Sequence, residues 1–317
     1  MEIIYKTITN AVVFGLLMSP MVMSLIFTYK TLNIIDVSLQ ASIAWGGITS
    51  AFLISIGVPW YVSFIGAILS GCLIGCFMGI THVYLKINDI LSGILISFSG
   101  YSIAVLIVGE KISLLNHTTL FSTIRDRNIQ IAIILIIVIL VKMLIDWFLS
   151  TEKGLIMRAV GTNEQAVWNV SPSIYRFWGI IMSNGIVALS GAMLAQYEGS
   201  GRSSRGNDMI IDALTGYVVG FSLISLFPKA IKYIFMSASV GKQFIHKIIL
   251  AIKPTSIAIT GCLIYYIVYY LVVLYSPHEE LPKLMLSIVL IGLLGNKSAI
   301  YGAVKSYVYK KAKYVDR

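Results

Sequence analysis

The chain has 317 residues, of which 57% are hydrophobic and 12% are charged, and its mean hydropathy is +0.86. Soluble domains carry roughly 45–50% apolar and 25% charged residues. The composition therefore indicates an integral membrane protein and excludes a soluble enzyme, a coiled coil and a DNA-binding domain. The net charge of +10 comes from basic residues that flank apolar segments, so it does not indicate binding to nucleic acid. Cys72, Cys76 and Cys262 all lie inside apolar runs, which excludes a disulfide framework and a zinc site.

Nine apolar runs are long enough to cross a membrane as helices, because about 20 helical residues span roughly 30 Å of hydrocarbon. A further stretch, 229–253, is interrupted by five lysines and is predicted to lie on the membrane surface as a basic amphipathic segment. The sequence therefore predicts an all-α bundle of about eight to ten transmembrane helices, in a single domain over residues 1–317. The nine runs lie at about 8–28, 39–56, 60–82, 89–109, 129–149, 176–196, 209–226, 254–275 and 281–296.

The distribution of basic residues predicts the orientation of the bundle. With the N-terminus outside and the C-terminus inside, sixteen lysines and arginines fall on the cytoplasmic side and six fall outside. The positive-inside rule favours this N-out, C-in arrangement. It makes residues 150–175 a cytoplasmic loop, residues 297–317 a basic cytoplasmic tail and residues 199–206 an external loop. The first run is interpreted as a retained helix, because no cleavage site of small residues follows it.

Small residues in the third run predict close helix packing. Gly71, Gly75 and Gly79 recur at every fourth position, which lets two helix backbones approach each other. Gly191 and Ala195 repeat the pattern in the sixth run. Such motifs indicate a compact bundle and say little about a substrate.

The cytoplasmic loop at 150–175 contains a helix signal. Gly161-Thr162-Asn163-Glu164 predicts a helix that begins with Thr162 as N-cap, places Glu164 in its first turn and carries Ala166 on its apolar side. Pro172 then ends it. Periodicity alone leaves two interpretations, a capped interfacial helix or a docking element for a soluble partner.

Polar residues in or beside the apolar runs are candidates for a substrate path, because they are costly in a membrane. Asn33 and Asp36 precede the second run, Gln40 lies in its first turn, Asn184 is in the middle of the sixth run and Asp212 opens the seventh. Helix capping explains the two aspartates equally well, and hydrogen bonding between helices explains the asparagine.

The sequence predicts no catalytic or metal site. The four histidines are scattered without ligand spacing, and the apolar runs contain no paired carboxylates and no nucleophile motif. A short similarity between 34–36 and 210–212, both Ile-Ile-Asp, is compatible with an inverted repeat or with chance.

The cytoplasmic loop and the run after it resemble the permease subunits of ABC importers in the branched-chain amino-acid and sugar permease superfamily. The loop pattern T-x-x-G-x-x-x-R-A-x-G-x-N-x-x-A carries the resemblance. Upstream, Leu32, Asn33 and Asp36 resemble the segment that introduces the second helix in the aromatic amino-acid (tryptophan/tyrosine) branch. The resemblance covers about residues 10–225, and the last two runs more loosely. The matching loop residues are Thr151, Gly154, Arg158, Ala159, Gly161, Asn163 and Ala166.

This resemblance implies a transport subunit in a bacterial inner membrane, not an enzyme, with ATP hydrolysis on a partner ATPase chain. No phosphate-binding loop occurs in this sequence, and no bound cofactor is expected. The other implied partners are an extracytoplasmic solute-binding protein, a second permease chain in a homodimer or heterodimer, and membrane lipid. The residues expected to couple to the ATPase are Gly154, Arg158, Gly161, Thr162, Asn163, Glu164 and Ala166.

Two other functions compete with this hypothesis. One is an ion-coupled secondary transporter in which Asp36 and Asp212 bind the driving proton or sodium ion. The other is an intramembrane enzyme that acts on lipid. An ATPase that co-purifies with the chain would distinguish the ABC permease from both.

Overall fold

The computed structural model describes residues 2–124, 126–163, 170–207, 209–234 and 253–275, together with 281, 284 and 288. Helices form most of this part of the chain, as the composition predicts. They are α1 (Glu2–Phe27), α2 (Leu39–Ser55), α3 (Trp60–Gly79), α4 (Asp89–Val108), α5 (Leu120–Thr123), α6 (Arg127–Ser150), α7 (Glu152–Thr162), α8 (Pro172–Glu198), α9 (Met209–Ile234) and α10 (Pro254–Tyr275).

Short irregular elements connect some of these helices. α1 and α3 each continue directly into a π-helical turn, Thr28–Leu32 and Ile80–Tyr84 respectively. Strands β1 (Lys111–Ser113) and β2 (Ser200–Arg202) pair antiparallel in a two-stranded ribbon, and a 3-10 turn (Ser203–Gly206) follows β2. The ribbon is the one departure from the all-α prediction within the described ranges.

The predicted membrane runs coincide with observed helices. Within the described residues, six helices are long and apolar enough to cross a membrane, and α2 is a shorter apolar helix. α9 continues to Ile234, beyond the predicted end at 226, through the first two lysines of the proposed surface segment. The rest of that segment and the basic tail lie outside the described residues, as does most of the last predicted run.

α8 lies between α2 and α3 and touches both at very short distances. A Cβ atom built on Gly191 would lie 2.0 Å from the carbonyl oxygen of Ile43, and one on Gly71 would lie 2.4 Å from the Cβ of Ala188. No side chain larger than hydrogen fits at either glycine. The close packing predicted from the small residues is therefore confirmed.

Two linkers follow the π-helical turns. Each contains a residue in the left-handed region, Asn33 with φ 57° and Lys86 with φ 56°, which ends the preceding helix. The first linker lies against the start of α4, since the backbone N–H of Ile35 donates to Asp89 Oδ2 at 3.0 Å. Asn88 caps α4 by accepting from the first backbone N–H groups of that helix.

The chain divides into two compact units. One is Val13–Leu214, and the other combines Met1–Val12 with Thr215–Arg317. In the second unit α9 and α10 pack through glycines, because a Cβ on Gly261 would lie 2.2 Å from the carbonyl oxygen of Gly216. The candidate site lies in the first unit.

Candidate functional site

The linker between α1 and α2 carries a buried carboxylate, Asp36, which is 1% exposed. Asn184 of α8 donates from Nδ2 to Asp36 Oδ2 at 2.8 Å. Ser38 donates to the other carboxylate oxygen twice, from its backbone N–H at 2.9 Å and from its hydroxyl at 2.5 Å. The carboxylate thus joins two elements that are 148 residues apart in the chain.

The amide of Asn184 is held in one orientation. Its Oδ1 accepts from the hydroxyl of Ser42 and lies 3.2 Å from the hydroxyl oxygen of Ser38, whose single hydrogen is donated to Asp36 at the shorter distance. Its Nδ2 donates to Asp36 and to the carbonyl oxygen of Ile180, the latter at 3.0 Å. Asp36, Ser38, Ser42 and Asn184 are named the Asp36 cluster below. Every member is buried, and donors and acceptors match throughout.

The Asp36 cluster lies about halfway along α8. This helix has 27 residues and is about 40 Å long, and Asn184 is next to its midpoint. Asp36 makes no salt bridge within the described part of the chain, and hydrogen bonds from Asn184 and Ser38 satisfy both of its carboxyl oxygens. The cluster therefore fixes a non-helical linker to the middle of a helix that is long enough to span a membrane.

The other predicted path residues do not belong to the Asp36 cluster. Asn33 is exposed, and its left-handed conformation ends the π-helical turn, with its N–H on the carbonyl oxygen of Thr28. Gln40 is half-buried in the first turn of α2, and Asp212 is half-buried in the first turn of α9. The structure brings Asp36 and Asn184 into contact and leaves Asn33 outside the cluster.

Thr162, predicted as the N-cap of a loop helix, is instead the last residue of an earlier helix, α7, and most of the predicted helix lies outside the described residues. α7 begins earlier, with Thr151 as N-cap accepting from the N–H of Gly154 at 3.4 Å and Glu152 in the first turn. Thr162 is its last residue, and its hydroxyl donates to the carbonyl oxygen of Arg158 at 2.8 Å. Thr151 followed by Glu152 is a cap signal eleven residues before Thr162, and it starts α7. Glu164 and Ala166 lie outside the described residues.

α7 lies directly on the end of α1. A Cβ atom on Gly161 would lie 2.2 Å from the carbonyl oxygen of Thr31 and 3.0 Å from the carbonyl carbon of Leu32. Gly154 is also needed for packing, because its Cβ would lie 2.2 Å from the carbonyl oxygen of Phe148. The two glycines of the loop motif therefore hold α7 against the helix ends beside it.

α7 has one buried and one exposed side. Met157 and Val160 are buried, whereas Arg158, Thr162 and Asn163 are exposed. The exposed side is mainly polar and also carries Leu155, which is 55% exposed. This arrangement fits a helix that is fixed on one side and can be contacted on the other.

A second buried polar cluster was missed at the sequence level. Gln196, near the end of α8, is 1% exposed. Its Nε2 lies 3.1 Å from Ser63 Oγ and 3.2 Å from Ser50 Oγ, and its Oε1 accepts from the N–H of Leu120 at 3.1 Å. Gln196, Ser50 and Ser63 are named the Gln196 cluster below. In the sequence, the only indication of this cluster is a glutamine at the end of one apolar run and serines inside two others.

Residues 199–207, predicted as a simple external loop, run beside α2. A Cβ on Gly201 would lie 2.9 Å from the carbonyl oxygen of Gly47, and one on Gly206 would lie 1.9 Å from that of Gln40. The hydroxyl of Ser203 donates to the carbonyl oxygen of Gly109 at 2.6 Å. The segment is ordered and packed along a helix, which the count of glycines and serines alone did not predict.

Comparison with known proteins adds independent information. The sequence model of the family described as "Branched-chain amino acid transport system / permease component" matches residues 7–294. The chain is 32% identical over 216 residues to the "Tyrosine transport system permease protein" of Clostridioides difficile (strain R20291), which covers 67% of this chain and 72% of that protein. It is 26% identical over 191 residues to the galactofuranose transporter permease protein of Escherichia coli (strain K12), which covers 59% of this chain and 56% of that one. No solved structure matches the chain. The match over most of the sequence shows that the chain belongs to the family of branched-chain amino acid transport system permease components.

Proposed function

We propose that this chain is the membrane-spanning subunit of an ABC-type importer and that its substrate is an amino acid, of the aromatic class. The family match and the similarity to a protein named for tyrosine transport support this proposal. The similarity to a galactofuranose permease makes a sugar the competing substrate class. The proposal places two permease chains in the bacterial cytoplasmic membrane, with ATP hydrolysis on a separate ATPase subunit and an extracytoplasmic protein delivering the solute.

The observation that carries the proposal is the position of α7 on the end of α1. The ATPase binds the exposed side of α7, at Arg158, Thr162 and Asn163, and the residues that follow, including Glu164 and Ala166. Because Gly161 touches the backbone of Thr31, movement of α7 displaces the end of α1 and the linker that carries Asp36. A force applied outside the membrane thus reaches the middle of α8.

In this proposal the five polar residues of the substrate path have different tasks. Asp36 and Asn184 use their polar atoms on each other and on two serines, so they hold the wall of the path in place. Gln40 and Asp212 are half-buried and face the solute. Asn33, in its left-handed conformation, ends the π-helical turn after α1 and starts the linker.

Uptake into reconstituted vesicles tests the energy source. The chain is reconstituted with its ATPase, and accumulation of labelled tyrosine is measured with ATP and, separately, with an imposed proton gradient. Only ATP should drive accumulation, and Asp36→Asn and Asp212→Asn should both retain it. Accumulation driven by the proton gradient alone, and lost in either variant, would establish the ion-coupled transporter instead.

A substitution at Gly161 tests the coupling role of α7. Gly161→Ala forces α7 away from Thr31 without changing its exposed side, so ATP-driven uptake should fall at least tenfold while the chain still inserts. Gly216→Ala is the matched control, because its Cβ meets its nearest neighbour at 3.4 Å, an ordinary contact. Equal uptake in the two variants would remove α7 from the coupling mechanism.

Thiol labelling of intact cells tests the orientation. The N-out, C-in arrangement predicts that Ser204→Cys reacts with an impermeant reagent added outside and that Ser306→Cys does not. Ser204 is chosen because it is exposed, whereas its neighbour Ser203 is buried. Labelling of Ser306→Cys alone would show that the opposite orientation, with the N-terminus inside, is correct.

A further inference from the structure

Residues 199–207 return along α2 toward the middle of the bundle. The chain leaves α8 at Glu198. By Gly206 it lies against the carbonyl oxygen of Gln40, which is between Ser38 and Ser42, the two residues that bond to Asn184 at the midpoint of α8. Between Asn184 and Glu198 a helix advances by about 20 Å. The segment therefore re-enters the bundle to about half the length of α8.

The backbone of this segment is non-helical, and one of its sides is buried. Ser200 and Ser203 are 5% and 1% exposed, and the glycines face α2. Non-helical backbone at membrane depth is tolerated only where protein covers it or where it lines a water-filled cavity. The buried side satisfies the first condition.

The other side of the segment is polar and exposed. Arg202, Ser204 and Asn207 are exposed, and Arg205 is half-buried in an ion pair with Glu198. By contrast, the exposed side chains on α6 include Leu140 and Leu144, as expected for a surface facing lipid. Because an arginine facing hydrocarbon is strongly disfavoured, the exposed side of 202–207 faces water.

Two cations meet where the segment begins. Lys111 of β1 and Arg202 of β2 are register partners in the ribbon, both are exposed, and neither forms a salt bridge with a described residue. Like charges directly opposite each other destabilise a strand pair. A bound carboxylate relieves this repulsion and matches the donor geometry of arginine.

We propose that the exposed side of residues 202–207 is a wall of the water-filled part of the translocation path, and that Lys111 and Arg202 at its mouth bind the carboxylate of the transported solute. The proposal rests on the proposed function only for the identity of the path. Its two parts, access of water and attraction of carboxylate, can be measured without transport.

Thiol reactivity tests the access of water. In a chain with its three native cysteines replaced by alanine, Ser204→Cys and Asn207→Cys should react with impermeant methanethiosulfonates. Ser203→Cys, which is buried, and Leu140→Cys, which faces lipid at the centre of α6, are the controls and should react at least tenfold more slowly. Equal rates at Ser204→Cys and Leu140→Cys would contradict the proposal that the exposed side of 202–207 lines a water-filled path.

Reagent charge tests the cation pair. At Ser204→Cys we expect a negatively charged sulfonate methanethiosulfonate to react faster than a positively charged trimethylammonium one. The ratio of the two rate constants should be about tenfold higher than the same ratio for free cysteine. Lys111→Gln with Arg202→Gln should abolish the preference, and Lys153→Gln, an exposed lysine on α7, should leave it unchanged. A preference that survives the double substitution would overturn the site.

Competition identifies the bound group. L-phenylalanine should slow the sulfonate reaction at Ser204→Cys, whereas L-phenylalaninamide, which lacks the carboxylate, should not. Protection by both compounds or by neither would contradict carboxylate binding. If the thiol pattern holds while ATP-driven uptake fails, the proposed function is wrong; if uptake holds while the thiol pattern fails, only this inference is wrong.

Discussion

The Asp36 cluster and the Gln196 cluster are built alike but hold different charges. In each, a carboxamide on α8 bonds to serine hydroxyls of a neighbouring helix and is fully buried. The Gln196 cluster is neutral and joins regular helices, whereas the Asp36 cluster contains a carboxylate and anchors a non-helical linker. A buried neutral amide needs partners, but a buried carboxylate needs them more. The difference indicates that the Asp36 cluster is the more sensitive of the two.

The largest effect is expected from Asn184→Leu. It leaves the hydroxyl of Ser42 and one carboxylate oxygen of Asp36 without a partner, so the free energy of unfolding should fall by about 2–3 kcal/mol. Thermal unfolding in detergent and titration with SDS measure this loss, and ATP-driven uptake should fall with it. Asn116→Leu makes the same replacement at an exposed position and should change neither quantity. A loss under about 0.5 kcal/mol at Asn184 would remove the distinction between the clusters.

Asp36→Asn should lower the free energy of unfolding by less, about 1–2 kcal/mol. The oxygen of the new side chain can still accept from Ser38, but its NH2 group faces the NH2 group of Asn184. Exchanging the two groups sharpens the test. Asp36→Asn combined with Asn184→Asp restores donor against acceptor between the two positions but sets an oxygen against the carbonyl oxygen of Ile180, so it should recover about half of the loss, measured by the same SDS titration. A double variant as unstable as the sum of both singles would show that the charge must be at position 36.

Gln196→Leu should cost about 1 kcal/mol, since only neutral groups lose a partner. Unfolding is measured as for Asn184→Leu, so the two values can be compared directly. Gln196→Glu is the size-matched variant: its carboxyl group can still accept from the N–H of Leu120 but lacks the donor that faces the carbonyl oxygen of Trp60. A loss at Gln196 that equals the loss at Asn184 would mean that charge does not decide the cost.

The smallest effect is expected from Ser42→Ala, below about 1 kcal/mol. Asn184 Nδ2 keeps both of its acceptors, Asp36 and the carbonyl oxygen of Ile180, so the amide stays oriented. Uptake should be close to that of the unmodified chain, and the SDS midpoint should shift only slightly. A collapse of uptake without loss of stability would place Ser42 in contact with the solute.

The sequence was sufficient to locate the helices and two members of the site. Apolar runs of about 20 residues leave few alternatives in a membrane, and Asp36 and Asn184 stand out because polar residues in such runs are rare. Their direct contact could not be predicted, since it joins positions 148 residues apart and depends on how α2 packs on α8.

The errors have physical causes as well. Thr162 resembles an N-cap, but Thr151 caps an earlier helix that continues as far as Thr162. Gln196 is the last residue of the sixth apolar run, and its partners lie on runs more than 130 residues away in the chain, so no local pattern indicates that it is buried. The segment 199–206 lacks the glycine spacing of a nucleotide-binding loop and is predicted as an external loop, but Gly201 and Gly206 pack closely against the carbonyl oxygens of α2.

The π-helical turn at Thr28–Leu32 sets the direction in which the following linker leaves α1. A π-helical turn contains one residue more than the α-helix around it, and its wider turn takes up that residue without rotating the chain that follows. If the same residues wound as ordinary α-helix, every following residue would rotate by about 100° about the helix axis. Asp36 would then arrive on a different side of α1, facing away from Asn184. A substitution that closed the π turn without removing a residue would therefore separate the buried carboxylate from its partner, whereas one that also removed a residue would keep the phase.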